Sequence, residues 1–491
     1  MNNSEPKPKT AINDPDNALN LKKYWNYRER LKRFVYVSAN YNEAGTNIPA
    51  ESITEDGSTI SWDDGNGAFN HYISVLASEY RLLKNSNLDY PQTIRELYYA
   101  LKSFERLDMT AEFVFLPDQT QQNGDLNGFF LRNDVDDVFW NKYKKDGTDP
   151  HFGQSQALYD PKMQNSLDNC VHYLESFALV NALVDNEVVD GVEVDFKQAA
   201  KDHTRRIIQN MQHPDEPIPV INFPILKRIY AYTWYLKNKV TGQPIPVKYG
   251  SGLDGTMLYT SYGFAKAANR ILGTKFFKEM RFSYEISKFL LSHQVTDYDF
   301  ELEVKRKMGI FPIPAITFKD YTFYMTLAGQ KMKVFHWLWL PIFTKTLSSQ
   351  TKVWNIGQDD YKMRSLCATG NIDIVKRKSP YQVLIQKQFE SVTLKYEHLP
   401  LLWAVVTNNF SYIQEKDRNY VKGLLDAAPQ EGPYKFLNDG SLKYGSYVWS
   451  SPSRLVWPDR LGGCNKPVTG YFNGLDYMLL HNLYLLARET S

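Results

Sequence analysis

The chain has 491 residues, enough for two or three ordinary domains or one large one, and 43% of them are hydrophobic, ample for a core. Lysine plus arginine total 57 against 55 acids, a net charge of +2, so no global field draws in nucleic acid. Three cysteines without CxxC or Cys/His spacing exclude a disulfide framework and a zinc module. The most apolar run, Val334 to Phe343, is too short to span a bilayer and contains His336 and Pro341, so no membrane insertion is expected. The polar start, MNNSEPKPKTAINDPDN, has no apolar signal region, which leaves the compartment open between cytoplasm and secretion with a signal removed.

In chain order, residues 1–20 read as a disordered lead-in, because they offer little to bury. Residues 21–491 then read as one domain. Leu21 to Val37 places Tyr24, Trp25, Tyr27, Leu31 and Phe34 near helical spacing. A glycine-rich acidic stretch, Ile60 to Asn70, precedes a helix carrying Tyr72, Val75, Leu76, Tyr80 and Leu83 on one stripe. Pro91 suits a first helical position, and Ile94, Leu97, Tyr98, Leu101, Phe104 and Leu107 continue the helical rule. The turn at Asn85 to Asp89 makes the two an antiparallel hairpin.

Residues 109–162 form a long polar excursion, and excursions of that length are often functional. Ser166 to Val184 and Phe196 to Met211 read as a second helical hairpin. Helical text continues at Ile225 to Lys239, Ser261 to Leu272, Phe277 to Ser292, Tyr321 to Phe335 and Val383 to Val392. Leu399 to Asn408 and Asp417 to Asp426 add two more. Short strands fit Asn438 to Trp449 around an Asn-Asp-Gly turn. No fixed repeat and no linker rich enough to split the chain is visible. Several helices open on an acid, as at Asp168, Asp320 and Asp476. Either these acids cap their helices, or the helix starts converge on a polar pocket.

About a dozen helices in antiparallel hairpins, opened by acids and joined by Trp/Tyr-rich loops, resemble the (α/α) toroid of several glycoside hydrolase and polysaccharide lyase families. The segments WNYRERL (Trp25 to Leu31), NGFFLRNDV (Asn127 to Val135), GPY (Gly432 to Tyr434), WSSPSR (Trp449 to Arg454) and FNGLDYMLLHNLYLL (Phe472 to Leu486) are also similar to a bacterial helical family without an assigned activity. The resemblance implies an all-α toroid of roughly six helical hairpins, with long loops, minor short strands and a cavity at one end. It transfers no catalytic residue.

Glycoside hydrolysis needs two carboxyl groups across the scissile bond. The candidates are Asp134, beside Phe129 to Leu131, Glu431, beside Gly432 to Tyr434, and Asp476 at the start of the last helix. A carboxyl beside apolar anchors has its pKa raised by desolvation. The loop aromatics Trp62, Trp449 and Trp457 would stack on sugar rings. Asp64, Arg132, Tyr434, Ser453, Arg454, Arg460 and Asn473 complete the expected substrate-binding set.

Asn123, Asp125, Asn127, Gly128 and Asp134 fall at calcium-loop positions, which makes a structural Ca2+ the one cofactor candidate. The first ligand is Asn and the last is Asp rather than Glu, so a plain Asn/Gly turn is favoured. Gly250 to Gly255 matches a dinucleotide fingerprint on paper but lacks its strand and helix, and no nucleophile elbow or HExxH exists. The reading is therefore a glycan hydrolase, with elimination disfavoured because acids outnumber Tyr/His/Arg sets in the loops. The alternative is a non-catalytic glycan-binding or protein-assembly component on the same scaffold.

Overall fold

The computed structural model describes residues 12, 14–54, 59–62, 66–115, 124–143, 154–155, 165, 167–211, 218–219, 230–231, 271–273, 398–408, 410, 413, 415–428, 430 and 470–489. These residues are mainly helical, as expected. The helices are α1 (Ala18–Leu31), α2 (Asn66–Asn85), α3 (Pro91–Phe115), α4 (Asp137–Tyr143), α5 (Leu167–Leu183), α6 (Phe196–Met211), α7 (His398–Thr407), α8 (Glu415–Ala427) and α9 (Leu475–Glu489).

Direction and burial sort these helices into two sets. Arg81 on α2 donates to the Leu183 carbonyl at the end of α5, and the Phe69 ring near the start of α2 meets Tyr173, so α2 and α5 are parallel. Asn482 on α9 donates to Val75 and Ser78 on α2, and Asn85 donates to Glu489 at the ends, so α9 runs parallel to α2 as well. These three helices are enclosed: α2 is buried from Gly67 to Tyr80, α5 in every described side chain from Asn169 to Val180, and α9 from Leu475 to Ala487. A helix apolar on all sides needs neighbours on all sides.

The remaining long helices run against this set and keep one exposed face. Tyr72 reaches Glu96 and Thr93 reaches Glu79, which makes α2 and α3 antiparallel, as predicted. Tyr27 near the end of α1 packs on Tyr477 near the start of α9, and Asp14 just ahead of α1 pairs with Arg488 at the far end of α9, which makes α1 antiparallel to α9. Asn165 ahead of α5 and Asn210 at the end of α6 both donate to the Gly128 carbonyl, which does the same for α5 and α6. Helix α7 packs on both α5 and α9, closing a circuit α2–α5–α7–α9.

Strands are short. β1 (Ser52–Thr54) lies antiparallel between β2 (Thr59–Ser61) and β8 (Gly470–Phe472), and β2 pairs in parallel with β3 (Gln154–Ser155). The register Ser52 to Phe472 and Ile53 to Tyr471 ties the end of the chain to its beginning.

Three expectations change. Packed structure begins before residue 21: Ile12, Asn17 and Asn20 are buried against the body of the protein. The connection between α5 and α6 is not a plain helical turn but a β-hairpin, β4 (Glu187–Val189) with β5 (Val192–Val194). Its turn residues Asp190 and Gly191 have φ of 51° and 82°, the pair of positive values that a two-residue Asp-Gly turn requires. Tyr230–Ala231 is extended as β7, paired with β6 (Ile218–Pro219), where a helix was expected. The helices expected at Phe277 to Ser292, Tyr321 to Phe335 and Val383 to Val392, and the strands near Asn438 to Trp449, lie outside the described residues.

Candidate functional site

Strand β8 turns into α9 at Asn473 and Gly474. Gly474 has φ 78°, a conformation natural to glycine. Asn473 holds this corner: its Nδ2 donates to the Ala50 carbonyl at 2.9 Å, and its Oδ1 accepts the Leu475 N–H at 3.0 Å. The capping role therefore belongs to Asn473, and Asp476 is released from it. The Asp476 carboxyl is 7% exposed, and its Oδ1 accepts the Tyr477 N–H at 2.9 Å. Its Oδ2 is buried and finds no hydrogen-bond partner among the described residues. Burial pushes this carboxyl well above the usual carboxylate range, opposed in part by backbone N–H donors and the Arg30 guanidinium. Burial thus favours the protonated form of this carboxyl, the form a proton-donating acid uses.

Two further buried polar groups sit at the same level on α2. Asn70 and Ser74 are each 1% exposed, and Asn70 Oδ1 and Ser74 Oγ lack partners among the described residues. On α2, Glu79 and Tyr72 face α1 and α3, while Val75 and Ser78 face α9. Asn70 and Ser74 project from the remaining side, toward the interior of the helix circuit, at about 100° of rotation per residue. On α9, Tyr477 and His481 face α1 and Asn482 faces α2, which leaves Asp476 on the interior side too. Buried polar atoms without partners are expensive, so these three single out this region as the candidate site. Asn70 and Ser74 are absent from the sequence-derived set. Their signal is an i, i+4 polar pair opposite the Tyr/Leu stripe of α2.

Asp134 has a different role. Arg106 grips it through Nε to Oδ2 at 2.6 Å and a second guanidinium nitrogen to Oδ1 at 3.0 Å, while the Gly45 N–H adds a third bond at 2.9 Å. Arg106 also donates to the Tyr41 and Thr46 carbonyls and to Ser103. The pair fastens the 41–46 loop to α3. At the other proposed calcium positions, Asp125 is exposed and Asn127 Oδ1 accepts the Phe129 N–H at 2.9 Å, an Asx turn. Among the described residues, no cluster of three acid, histidine or cysteine side chains is arranged to hold a metal ion.

Trp62 is 1% exposed, its indole N–H donates to the Ile48 carbonyl, and its ring packs edge-on against Phe139. Arg132 is half-buried. Glu431, Asp64, Tyr434, Trp449, Ser453, Arg454, Trp457, Arg460 and Asn123 lie outside the described residues.

Two buried ionic clusters escaped the sequence reading because their acids lie within helical text. Arg28 bridges Glu79 and Glu96 at 2.9 and 2.8 Å, and the Tyr24, Tyr72 and Thr93 hydroxyls donate to the same carboxylates. A recess of about 10 Å³ beside it, lined in part by Tyr24, Trp25, Glu79, His481 and Asn482, has room for about one water. Every carboxylate there is already bound, which suits joining α1, α2 and α3. In the second cluster, Asp108 accepts the Asn127 and Gly128 N–H groups at 3.1 and 2.9 Å, with Arg206 at 3.7 Å. His203 Nδ1 lies 2.6 Å from Arg206, and burial holds its imidazole neutral. Comparison with protein-family models, curated proteins and solved structures finds no match to this chain.

Proposed function

We propose that the chain is a carbohydrate-active enzyme on an (α/α) toroid, hydrolysing a glycan by acid/base catalysis with Asp476 as the proton donor. The scaffold half of this reading is supported by the two helix sets, enclosed parallel helices surrounded by antiparallel ones with an exposed face. The chemical half rests on one observation: a buried carboxyl with one oxygen unpartnered, its pKa raised by desolvation, beside other unpartnered polar atoms. In hydrolysis that acid gives its proton to the leaving oxygen as the glycosidic bond breaks. Arg132, Arg454 and Arg460 are the groups assigned to substrate hydroxyls or acidic substituents.

The test is release of reducing ends from a panel of soluble polysaccharides. Asp476→Asn is expected to cut kcat by about 10²-fold or more while the protein stays folded. Full activity in that variant would remove Asp476 from the chemistry. The second reading, a glycan-binding or assembly component without turnover, is favoured by the complete engagement of Asp134 with Arg106. It predicts binding to an immobilised glycan array with no product from any member.

A further inference from the structure

Hydrolysis needs a second carboxyl group across the bond from the acid, and Asp134 is held elsewhere by Arg106. One other acid on the enclosed helices stands on the same side and at the same height as Asp476. Glu175 lies in the middle of α5 and is 2% exposed. Its neighbours Tyr173 and Phe177 pack on Phe104 of α3, and Phe177 stacks on His203 of α6, so that face of α5 points outward. Glu175 is turned about 200° from Tyr173 and about 160° from Phe177 at 3.6 residues per turn. It therefore projects to the opposite, interior side.

Height along the parallel helices agrees. Phe69 pairs with Tyr173 and Arg81 with Leu183, so Asn70 to Ser74 stand level with the turn of α5 that carries Glu175. Asn482 pairs with Val75 and Ser78, which puts Asp476 level with the same turn of α2. Three adjacent parallel helices thus bring Glu175, Asn70, Ser74 and Asp476 to one height and one side. An unpartnered, nine-tenths buried carboxyl oxygen on Asp476 and the unpartnered Asn70 Oδ1 and Ser74 Oγ are what distinguish this from an acidic cluster facing water.

We infer that Glu175 is the carboxylate partner of Asp476, with Asn70 and Ser74 fixing a substrate hydroxyl or the attacking water between them. The assignment rests on the proposed glycan hydrolysis. Glu175 takes a proton from water as the water oxygen bonds the anomeric carbon. The bond from that carbon to the leaving oxygen breaks, and Asp476 supplies the proton that oxygen needs. One proton is taken and one is given. The two carboxyl groups exchange states and return to their starting forms through solvent. The ligand class is a hydroxyl-rich sugar.

The experiment compares wild type, Glu175→Gln, Glu175→Ala and Asp476→Asn on the polysaccharide panel, with thermal melts as the folding control. Glu175→Gln is expected to lose about 10²-fold or more in kcat with KM little changed. Sodium azide is expected to restore turnover to Glu175→Ala by replacing water as a nucleophile that needs no base, giving a glycosyl azide. A Glu175→Gln enzyme within threefold of wild type, while Asp476→Asn is dead, overturns the assignment of Glu175 and leaves the hydrolase reading intact. A wild type that releases nothing from any panel member overturns the hydrolase reading itself. If neither Glu175 variant folds, Glu175→Asp decides: an unchanged acidic limb in its kcat/KM pH profile overturns the assignment, and a displaced limb supports it.

Discussion

Arg106 and Asp134 form a bidentate ion pair with side chains only 5% and 6% exposed, and they join α3 to the loop at Gly45 and Thr46. Removing one partner from such a pair strands a buried charge. Asp134→Asn or Arg106→Met is expected to cost about 3–5 kcal/mol in urea denaturation. The double replacement Arg106→Met with Asp134→Leu is expected to recover a large part of that loss. A single variant within about 1 kcal/mol of wild type would return Asp134 to the list of functional acids.

Asp108 gives a pH signature. Burial lifts its carboxyl from the usual value to about 7, the nearby Arg206 and the Gly128 and Asn127 N–H groups opposing it. The folded state therefore holds the proton more tightly than the unfolded chain. The stabilisation is complete below about pH 4 and is lost as pH rises through about 7, with a slope approaching about 1.4 kcal/mol per pH unit between. Asp108→Asn, whose amide oxygen still accepts the two N–H bonds, is expected to flatten that slope. The check is the urea midpoint measured at half-unit steps from pH 4 to pH 8.

Two glycines with nearly the same backbone separate conformation from crowding. Gly191 has φ 82° with open space around it, whereas Gly128 has φ 80° and a Cβ there would lie 2.3 Å from the Arg206 carbonyl oxygen. Gly191→Ala is expected to cost about 1 kcal/mol from the left-handed backbone alone. Gly128→Ala adds a collision with backbone and is expected to cost at least about 2 kcal/mol more, because the 127–131 loop must leave α6. Equal melting temperatures for the two variants would contradict this placement of the loop.

Periodicity made α2, α3, α5, α6, α8 and α9 legible, because an apolar stripe at helical spacing must be buried whatever covers it. The missed β4–β5 hairpin was also written locally, in Asp190-Gly191 between two valine-rich triplets. Its strands are three residues each, too short to show alternation against the surrounding helices. Asn70, Ser74 and Glu175 were readable only as polar interruptions in helices, and Glu79 and Glu96 only as surface charges.

By itself, then, the sequence determined that the chain is mainly helical, that α2 and α3 form an antiparallel hairpin and that Leu475–Glu489 is an apolar helix. Those properties depend on neighbours three or four residues away. The partner of each acid is decided across tens or hundreds of residues, and only the tertiary structure sets it. Asp134 and Asp476 are both acids beside apolar text, yet one meets the Arg106 guanidinium while the other is left with a buried, unpartnered oxygen. The closing segment shows the same division: its helix is local, but Asn473 bonding Ala50 and β8 pairing with β1 bring chain end to chain start. Whether a carboxyl is a fastener or a proton donor is a matter of desolvation and counter-charge, and both are properties of the packed molecule.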